Sequence, residues 1–152
     1  MVVLQGLLFI NGVDVYTQYG AFLSEDKASD TVNYSALMKP ADMKPYVAVS
    51  FREENGEKLP EVLIPRSEAR DVTLQFAIFA DNATIFLQKY TDFVQFLKSG
   101  WLNVQVPELN KTFRMYLVSF TGYEQLTPVT TDAGVVVAST FKVKFREPDP
   151  TF

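Results

Sequence analysis

Hydrophobic and polar residues alternate along several segments, which predicts a chain built mostly of strands. Between residues 71 and 79 the apolar positions Val72, Leu74, Phe76 and Ile78 fall on one face, and mostly polar residues fall on the other. Residues 134–146 alternate in the same way. Further strands are predicted at 4–10, 13–16, 21–24, 46–52, 60–64, 101–106 and 112–120.

One segment has helical periodicity instead. Within residues 83–98 four apolar side chains are spaced four, three and four apart, which places them on one helix face: Phe86, Tyr90, Phe93 and Leu97. Asp81 or Asn82 can cap the first turn, and Gly100 is placed to end the helix in the left-handed conformation. The sequence therefore predicts one amphipathic helix.

The order of these elements predicts the fold class. Asn11-Gly12 is a strong signal for a tight hairpin turn, and strands run both before and after the helix with no second helix alternating with them. We expect a mainly β (α+β) fold: an antiparallel β-sandwich or open barrel of about eight strands with one packed helix. Residues 1–152 are expected to form one domain, with an extended tail at about 147–152.

A long segment at about 26–45 fits neither period. It has only a weak helical pattern near residues 34–38, and Pro40 and Pro45 interrupt any continuation. A loop of this length inside a domain is usually functional or disordered. We expect an assembly arm here, because five apolar side chains need a surface to cover, on their own domain or on a neighbour: Val32, Tyr34, Leu37, Met38 and Met43.

Composition narrows the candidate chemistry. The 152 residues include no cysteine and no histidine, which removes thiolate catalysis, cysteine zinc sites and the commonest general base. Carboxylates close together in sequence, such as Glu53 with Glu54 or Glu147 with Asp149, lack the spacing of a metal loop and are interpreted as solvated charges. We expect no catalytic, cofactor or metal site, and no enzyme.

Charge bears on the possible partners. The 18 acidic and 14 basic residues give a net charge of −4, which disfavours general binding of nucleic acid. Lys142, Lys144 and Arg146 nevertheless form a basic stripe on one strand face. We interpret it as a solvent-exposed face or a charged protein interface rather than a nucleic-acid site. The apolar run at the start is too short to span a bilayer, so we expect no membrane contact and synthesis in a cytoplasm.

Several short sequence segments, taken in the order of these elements, resemble those of a known protein family. They are Ile10-Asn11-Gly12-Val13, the strand Arg70-Asp71-Val72-Thr73-Leu74-Gln75-Phe76, the strand Tyr116-Leu117-Val118-Ser119-Phe120, and Phe141-Lys142-Val143-Lys144-Phe145 followed by Pro148-Asp149-Pro150. Together with the helix and the long arm, they resemble the N-terminal domain of phage distal tail proteins. That domain is similar to the wider tail-tube family, which includes type VI secretion tube proteins.

The resemblance implies a function. It implies a structural subunit of a phage or phage-like tail, whether distal tail, tube or tube-end protein, that forms a homo-oligomeric ring, expected to be a hexamer, around a central channel. The channel would hold a tape-measure protein or passing DNA, and the ring would contact tube or hub proteins. By the same resemblance the arm reaches a neighbouring subunit, and Asp71, Thr73 and Gln75 line the channel. The protein would be made in the bacterial host cytoplasm and located in the virion tail.

A second function remains open from the residues themselves. A monomeric β-sandwich could bind a glycan or a peptide in a concave site. Such a site would need exposed aromatic side chains, for which Trp101 and Tyr123 are the candidates.

Overall fold

Most segments in which apolar and polar residues alternate form strands of a sheet, and the segment with a 3.6-residue period forms a helix. The computed structural model describes residues 6–25, 32–125, 129–131 and 134–150. Its elements in chain order are β1 (Phe9–Ile10), β2 (Val13–Asp14), α1 (Val15–Tyr19), β3 (Ala21–Leu23), α2 (Val32–Met38), β4 (Arg70–Ala80), α3 (Ala83–Leu97), β5 (Trp101–Val106), a 3₁₀ turn (Pro107–Leu109), β6 (Lys111–Gln125), β7 (Val129–Thr131) and β8 (Gly134–Glu147).

The strands form one antiparallel sheet in the order β2-β1-β5-β6-β8-β4-β3, with β7 paired to the start of β8. The longest pairing joins β4 and β8 from Arg70 opposite Glu147 to Ala80 opposite Val137. The sheet curves into a half-barrel, so the predicted mainly β fold is confirmed in its open-barrel form.

The core lies between α3 and one face of this sheet. Phe76 on β4 is fully buried, and its ring centroid lies 5.3 Å from that of Phe93 on α3 and 5.8 Å from that of Phe141 on β8. Aromatic rings bury large apolar areas and prefer such edge-to-face and offset contacts. The even-numbered residues of β4 therefore point toward α3, as the alternation predicts.

The predicted helix is confirmed, with a small difference at its end. The Asn82 side chain caps the first turn, because its Oδ1 accepts a hydrogen bond from the Ile85 amide at 2.9 Å. The helix ends at Leu97 with Lys98 as its C-cap. Gly100 has a positive φ of 122°, but it lies in the turn that leads to β5 and does not cap the helix directly.

Four strand predictions are wrong in whole or in part. Of the strand predicted at 4–10, the described residues form a strand only at Phe9–Ile10. The strand predicted at 13–16 ends at Asp14, because the Asp14 carboxylate accepts from the Tyr16 amide and starts α1. The strands predicted at 46–52 and 60–64 are absent. The first of these segments has one isolated antiparallel bridge, from Val49 to Lys58, and Lys58 lies before the second segment. None of the described helices is long and apolar enough to cross a membrane.

Candidate assembly surfaces

The segment at 32–38, predicted to belong to the arm, forms α2 and packs against β4. Two backbone amides at the start of α2, of Val32 and Asn33, donate to the Glu25 carboxylate at 3.0 and 3.1 Å. The buried Asn33 side chain donates to the Ser24 carbonyl and accepts from the Gln75 amide, both at 2.7 Å. Asn33 thus covers the edge of β4 where β3 ends.

The five residues predicted to form the arm are therefore divided between core and surface. Leu37 is fully buried in the chain's own core, and Tyr34 is half-buried. The Tyr34 hydroxyl donates to Glu108 Oε2 at 3.0 Å. Burial, the bond to Glu108 and the nearby carboxylates raise the pKa of Tyr34 to about 12. Val32, Met38 and Met43 remain exposed.

The longest exposed segment follows α2 and spans residues 42–66, which we name the exposed hairpin. Every residue in it is exposed, and two isolated bridges join its two sides, Met43 to Ser67 and Val49 to Lys58. Val47 and Val62 are 80% and 74% exposed. Large apolar side chains concentrated in one exposed segment are typical of a surface that another molecule covers. The full set of large apolar residues is Met43, Tyr46, Val47, Val49, Phe51, Leu59, Val62, Leu63 and Ile64.

The tip of the exposed hairpin combines an aromatic ring with charges of both signs. Residues 53–57 carry three carboxylates and no cation. Lys58 pairs with Glu54 at 3.1 Å, and its ammonium group lies 5.7 Å from the centre of the exposed Phe51 ring. The tip therefore offers an exposed aromatic side chain among mixed charges, because Arg52 and Lys58 flank the three carboxylates.

A buried ion pair holds the base of the exposed hairpin to the sheet. Arg70, at the start of β4, pairs with Glu147, at the end of β8, at 3.2 Å, and both side chains are almost fully buried. Arg70 also donates to the Lys39 carbonyl at the end of α2, and its guanidinium lies 5.5 Å from the centre of the Phe113 ring. The interpretation of Glu147 as a solvated tail charge is wrong, because β8 continues to this residue.

The residues predicted to line a channel and the predicted basic interface lie on the same surface. This surface is the face of the sheet that points away from α3, which we name the outer face. The register of β4 and β8 sets the two groups directly opposite each other, in the pairs Asp71–Arg146, Thr73–Lys144 and Gln75–Lys142. Asp71 forms ion pairs with Arg146 at 3.1 Å and with Lys144 at 3.5 Å. A molecule that contacts the predicted channel-lining residues of β4 therefore also contacts the basic residues of β8.

The aromatic residues suggested for a glycan or peptide site do not converge. Trp101 is on the outer face, where its ring packs edge-on against Tyr116 at 5.7 Å. Tyr123 lies opposite Phe141 on the helix side of the sheet, and its ring contacts Tyr90 at 5.5 Å. The sheet separates the two side chains, so they do not form one concave binding site.

Sequence reasoning missed the two features that define these surfaces. Apolar side chains at every second position, Val47, Val49 and Phe51, predict a strand with one buried face. In the structure all three are exposed in the hairpin. The Arg70–Glu147 pair joins residues 77 positions apart, so no local pattern could indicate it. The short spacing of Pro60 and Pro65 was the available signal against a regular strand at 60–64.

Comparison with known proteins shows a likeness in fold to a solved structure. No family model matches the chain, and no curated protein matches it. Among solved structures, the fold is similar to that of the Dit protein of phage SPP1, described as a paradigm of the hub adsorption apparatus in phages infecting Gram-positive bacteria. The TM-score is 0.51 at 12% sequence identity, over 97% of this chain and 51% of that one. This chain thus spans about half the length of SPP1 Dit and shares the fold of the matched half.

Proposed function

We propose that this chain is a structural subunit of a phage or phage-like tail, of the distal tail or tube-end type, which assembles into a ring. The exposed hairpin carries this proposal, since its apolar side chains stay in water unless another molecule covers them. The fold likeness to SPP1 Dit supports the tail assignment. We expect a hexamer, located in the virion tail, that contacts tube, tape-measure or hub proteins.

In this proposal the outer face lines the central channel. Its mixture of polar and charged side chains suits a wetted wall, and Asp71 neutralises part of the charge of Lys144 and Arg146. A wall with locally paired charges lets a polyanion such as DNA pass without strong retention. A binding module for a glycan or peptide is less well supported, because Trp101 and Tyr123 lie on opposite sides of the sheet.

The test is the molar mass in solution, measured by light scattering over a concentration series. We expect a mass near six times that of one chain. Val47→Ser combined with Val62→Ser should reduce this mass, because both substituted side chains are exposed and apolar in the single chain. Leu87→Ser is the matched control, since Leu87 is 63% exposed on α3 and lies outside the exposed hairpin.

The melting temperature of each variant separates assembly from folding. All three sites are exposed, so the folded single chain should lose little stability. If the unaltered chain is monomeric at every concentration, the proposal of a self-assembling ring is wrong. If the ring forms equally well in the variant at positions 47 and 62, the exposed hairpin is not its assembly element.

A further inference from the structure

The chain contains two Asn-Gly dipeptides, Asn11-Gly12 and Asn55-Gly56. In such a dipeptide the backbone nitrogen of the glycine can attack the side-chain carbonyl of the asparagine, because glycine has no Cβ to oppose the close approach. The attack requires an asparagine side chain that is free to rotate toward this nitrogen. The structure places the two dipeptides in surroundings that differ in this respect.

Asn11-Gly12 is held in the tight turn between β1 and β2, where the two residues have φ angles of 53° and 80°. Both polar atoms of the Asn11 side chain bond to β5. Nδ2 donates to the Trp101 carbonyl at 3.3 Å, and Oδ1 accepts from the Asn103 amide at 2.9 Å. The backbone amide of Asn11 also donates to the Asn103 carbonyl at 3.0 Å. The Asn11 side chain must therefore detach from β5 before Gly12 can attack it.

Asn55-Gly56 lies at the tip of the exposed hairpin, where every residue is exposed. Among the described residues, none forms a hydrogen bond with the Asn55 side chain or accepts one from the Gly56 amide. Gly56 has a φ of 73°, and apart from the adjoining residues no atom lies within 4 Å of the position that a Cβ would occupy there. The Asn55 side chain is thus free to rotate toward an unobstructed nitrogen.

We propose that Asn55 is a site of spontaneous deamidation, and that Asn11 is protected from the same reaction. The Gly56 nitrogen loses its proton to hydroxide and forms a bond to Asn55 Cγ, and the bond between Cγ and Nδ2 then breaks. Nδ2 takes a proton from water and leaves as ammonia, which regenerates hydroxide and leaves a five-membered succinimide ring. Water opens this ring at either carbonyl carbon and yields aspartate or isoaspartate. The reaction needs no co-reactant other than water.

Both products place a new carboxylate in the hairpin tip. Residues 53–57 already carry three carboxylates, and the reaction adds a fourth. In isoaspartate the main chain also runs through the former side-chain carbons, which lengthens the backbone of the turn by one carbon atom. A single sequence therefore gives rise to chains that differ in charge and backbone at the tip, a property that goes beyond the structural role proposed above.

Peptide mapping measures both sites in one sample of the full-length chain. The folded protein is incubated at mildly alkaline pH, and trypsin then releases residues 53–58, which contain Asn55, apart from residues 1–27, which contain Asn11. Mass spectrometry detects the exchange of NH₂ for OH, and an isoaspartyl methyltransferase assay detects isoaspartate. Asn55 should react roughly tenfold faster than Asn11 or more, because two side-chain hydrogen bonds of Asn11 must break first. A sample digested before incubation corrects for reaction during digestion.

Two controls separate the effect of the fold from that of the dipeptide. In concentrated urea Asn55 and Asn11 should react at similar rates, because neither side chain is then held by β5. Asn55→Gln should nearly abolish the reaction at the tip, since glutamine would have to close a less favourable six-membered ring. The rate at Asn11 should be the same in this variant as in the unaltered chain.

The rates in the folded chain decide the outcome. If Asn11 reacts as fast as Asn55, or if Asn55 reacts only after unfolding, the proposal is wrong. The rate at Asn55 is also measured over the concentration series used for the molar mass. A high rate at every concentration, or one that falls only as the chain associates and its tip is covered, supports the proposal. A low rate in the dilute single chain overturns it and leaves the proposed function standing.

Discussion

Replacing Glu147 by glutamine removes the negative charge from the buried pair at the base of the exposed hairpin. The side chains of Arg70 and Glu147 are only 7% and 2% exposed. Glutamine has nearly the same shape as glutamate, so the substitution changes charge far more than packing. Arg70 then remains as a buried cation without its carboxylate.

The expected loss of stability follows from this burial. Removing one partner of a buried ion pair destabilises a protein by about 3–5 kcal/mol, because the remaining charge is still desolvated. The amide oxygen of the introduced glutamine can still accept one hydrogen bond, so we expect the lower end, about 3 kcal/mol. Replacing both partners, by Arg70→Met with Glu147→Leu, should stay within about 1 kcal/mol of the unaltered chain, since no buried charge is left.

Urea unfolding followed by circular dichroism, at one fixed protein concentration, measures these differences. With a slope of about 2 kcal/mol per molar urea, a loss of about 3 kcal/mol lowers the midpoint by about 1.5 M. Glu54→Gln is the matched control. It breaks the pair of Lys58 with Glu54, whose side chains are 63% and 50% exposed, and should cost less than about 1 kcal/mol.

Two results would refute this reasoning. A loss below about 1 kcal/mol for Glu147→Gln would mean that water reaches the pair and screens the arginine. A double substitution as destabilising as the single one would mean that the hydrogen bond from Arg70 to the Lys39 carbonyl, rather than the ion pair, holds this corner together.

Three further predictions concern the core and the edge of β4. Asn33→Ala should lower the free energy of unfolding by about 2–4 kcal/mol, because the buried Asn33 amide forms hydrogen bonds with both Ser24 and Gln75. Hydrogen exchange at the Gln75 backbone amide should become faster. An unchanged exchange rate would contradict this role of Asn33. Tyr34 has a pKa raised to about 12 from 10.0, so stability present below pH 10 should fall as the pH rises toward 12. Alkaline unfolding curves should show a smaller fall for Tyr34→Phe, and identical curves would contradict the assignment. Phe76→Ala should lower the free energy of unfolding, measured with a chemical denaturant, by about 3–5 kcal/mol, because the ring is fully buried. Phe51→Ala should lower it by about 0.5 kcal/mol or less, because that ring is exposed. Equal losses would contradict the burial assigned to the two rings.

The pattern of apolar residues correctly predicted the type of element and its buried face wherever a long strand or helix buries one side. The alternation in β4 and the spacing of Phe86, Tyr90, Phe93 and Leu97 in α3 each match the burial found in the structure. In such elements the hydrophobic effect acts on a periodic set of residues, so the period reveals the buried face. The same reasoning found the basic stripe of β8 and the polar face of β4.

The conformation of the short elements α1 and α2 could not be predicted from the local sequence pattern. Val15 and Tyr16 favour a strand by composition, yet they begin α1 because Asp14 caps it and Gly20, at a φ of 68°, ends it. Segment 32–38 resembled part of a loop, yet Leu37 fills a place in the core. Local preference is weak in segments this short, and tertiary contacts decide their conformation.

The sequence by itself determined the mainly β fold and the one long helix. It placed an arm at about 26–45 and regular strands at 46–52 and 60–64. Only the tertiary structure decided that residues 42–66 form the exposed hairpin, that Arg70 and Glu147 pair at its base, and that Asp71 and Arg146 share one face. The physical reason is distance along the chain. Periodicity reports which face of an element is buried, whereas the register between distant strands sets which side chains meet.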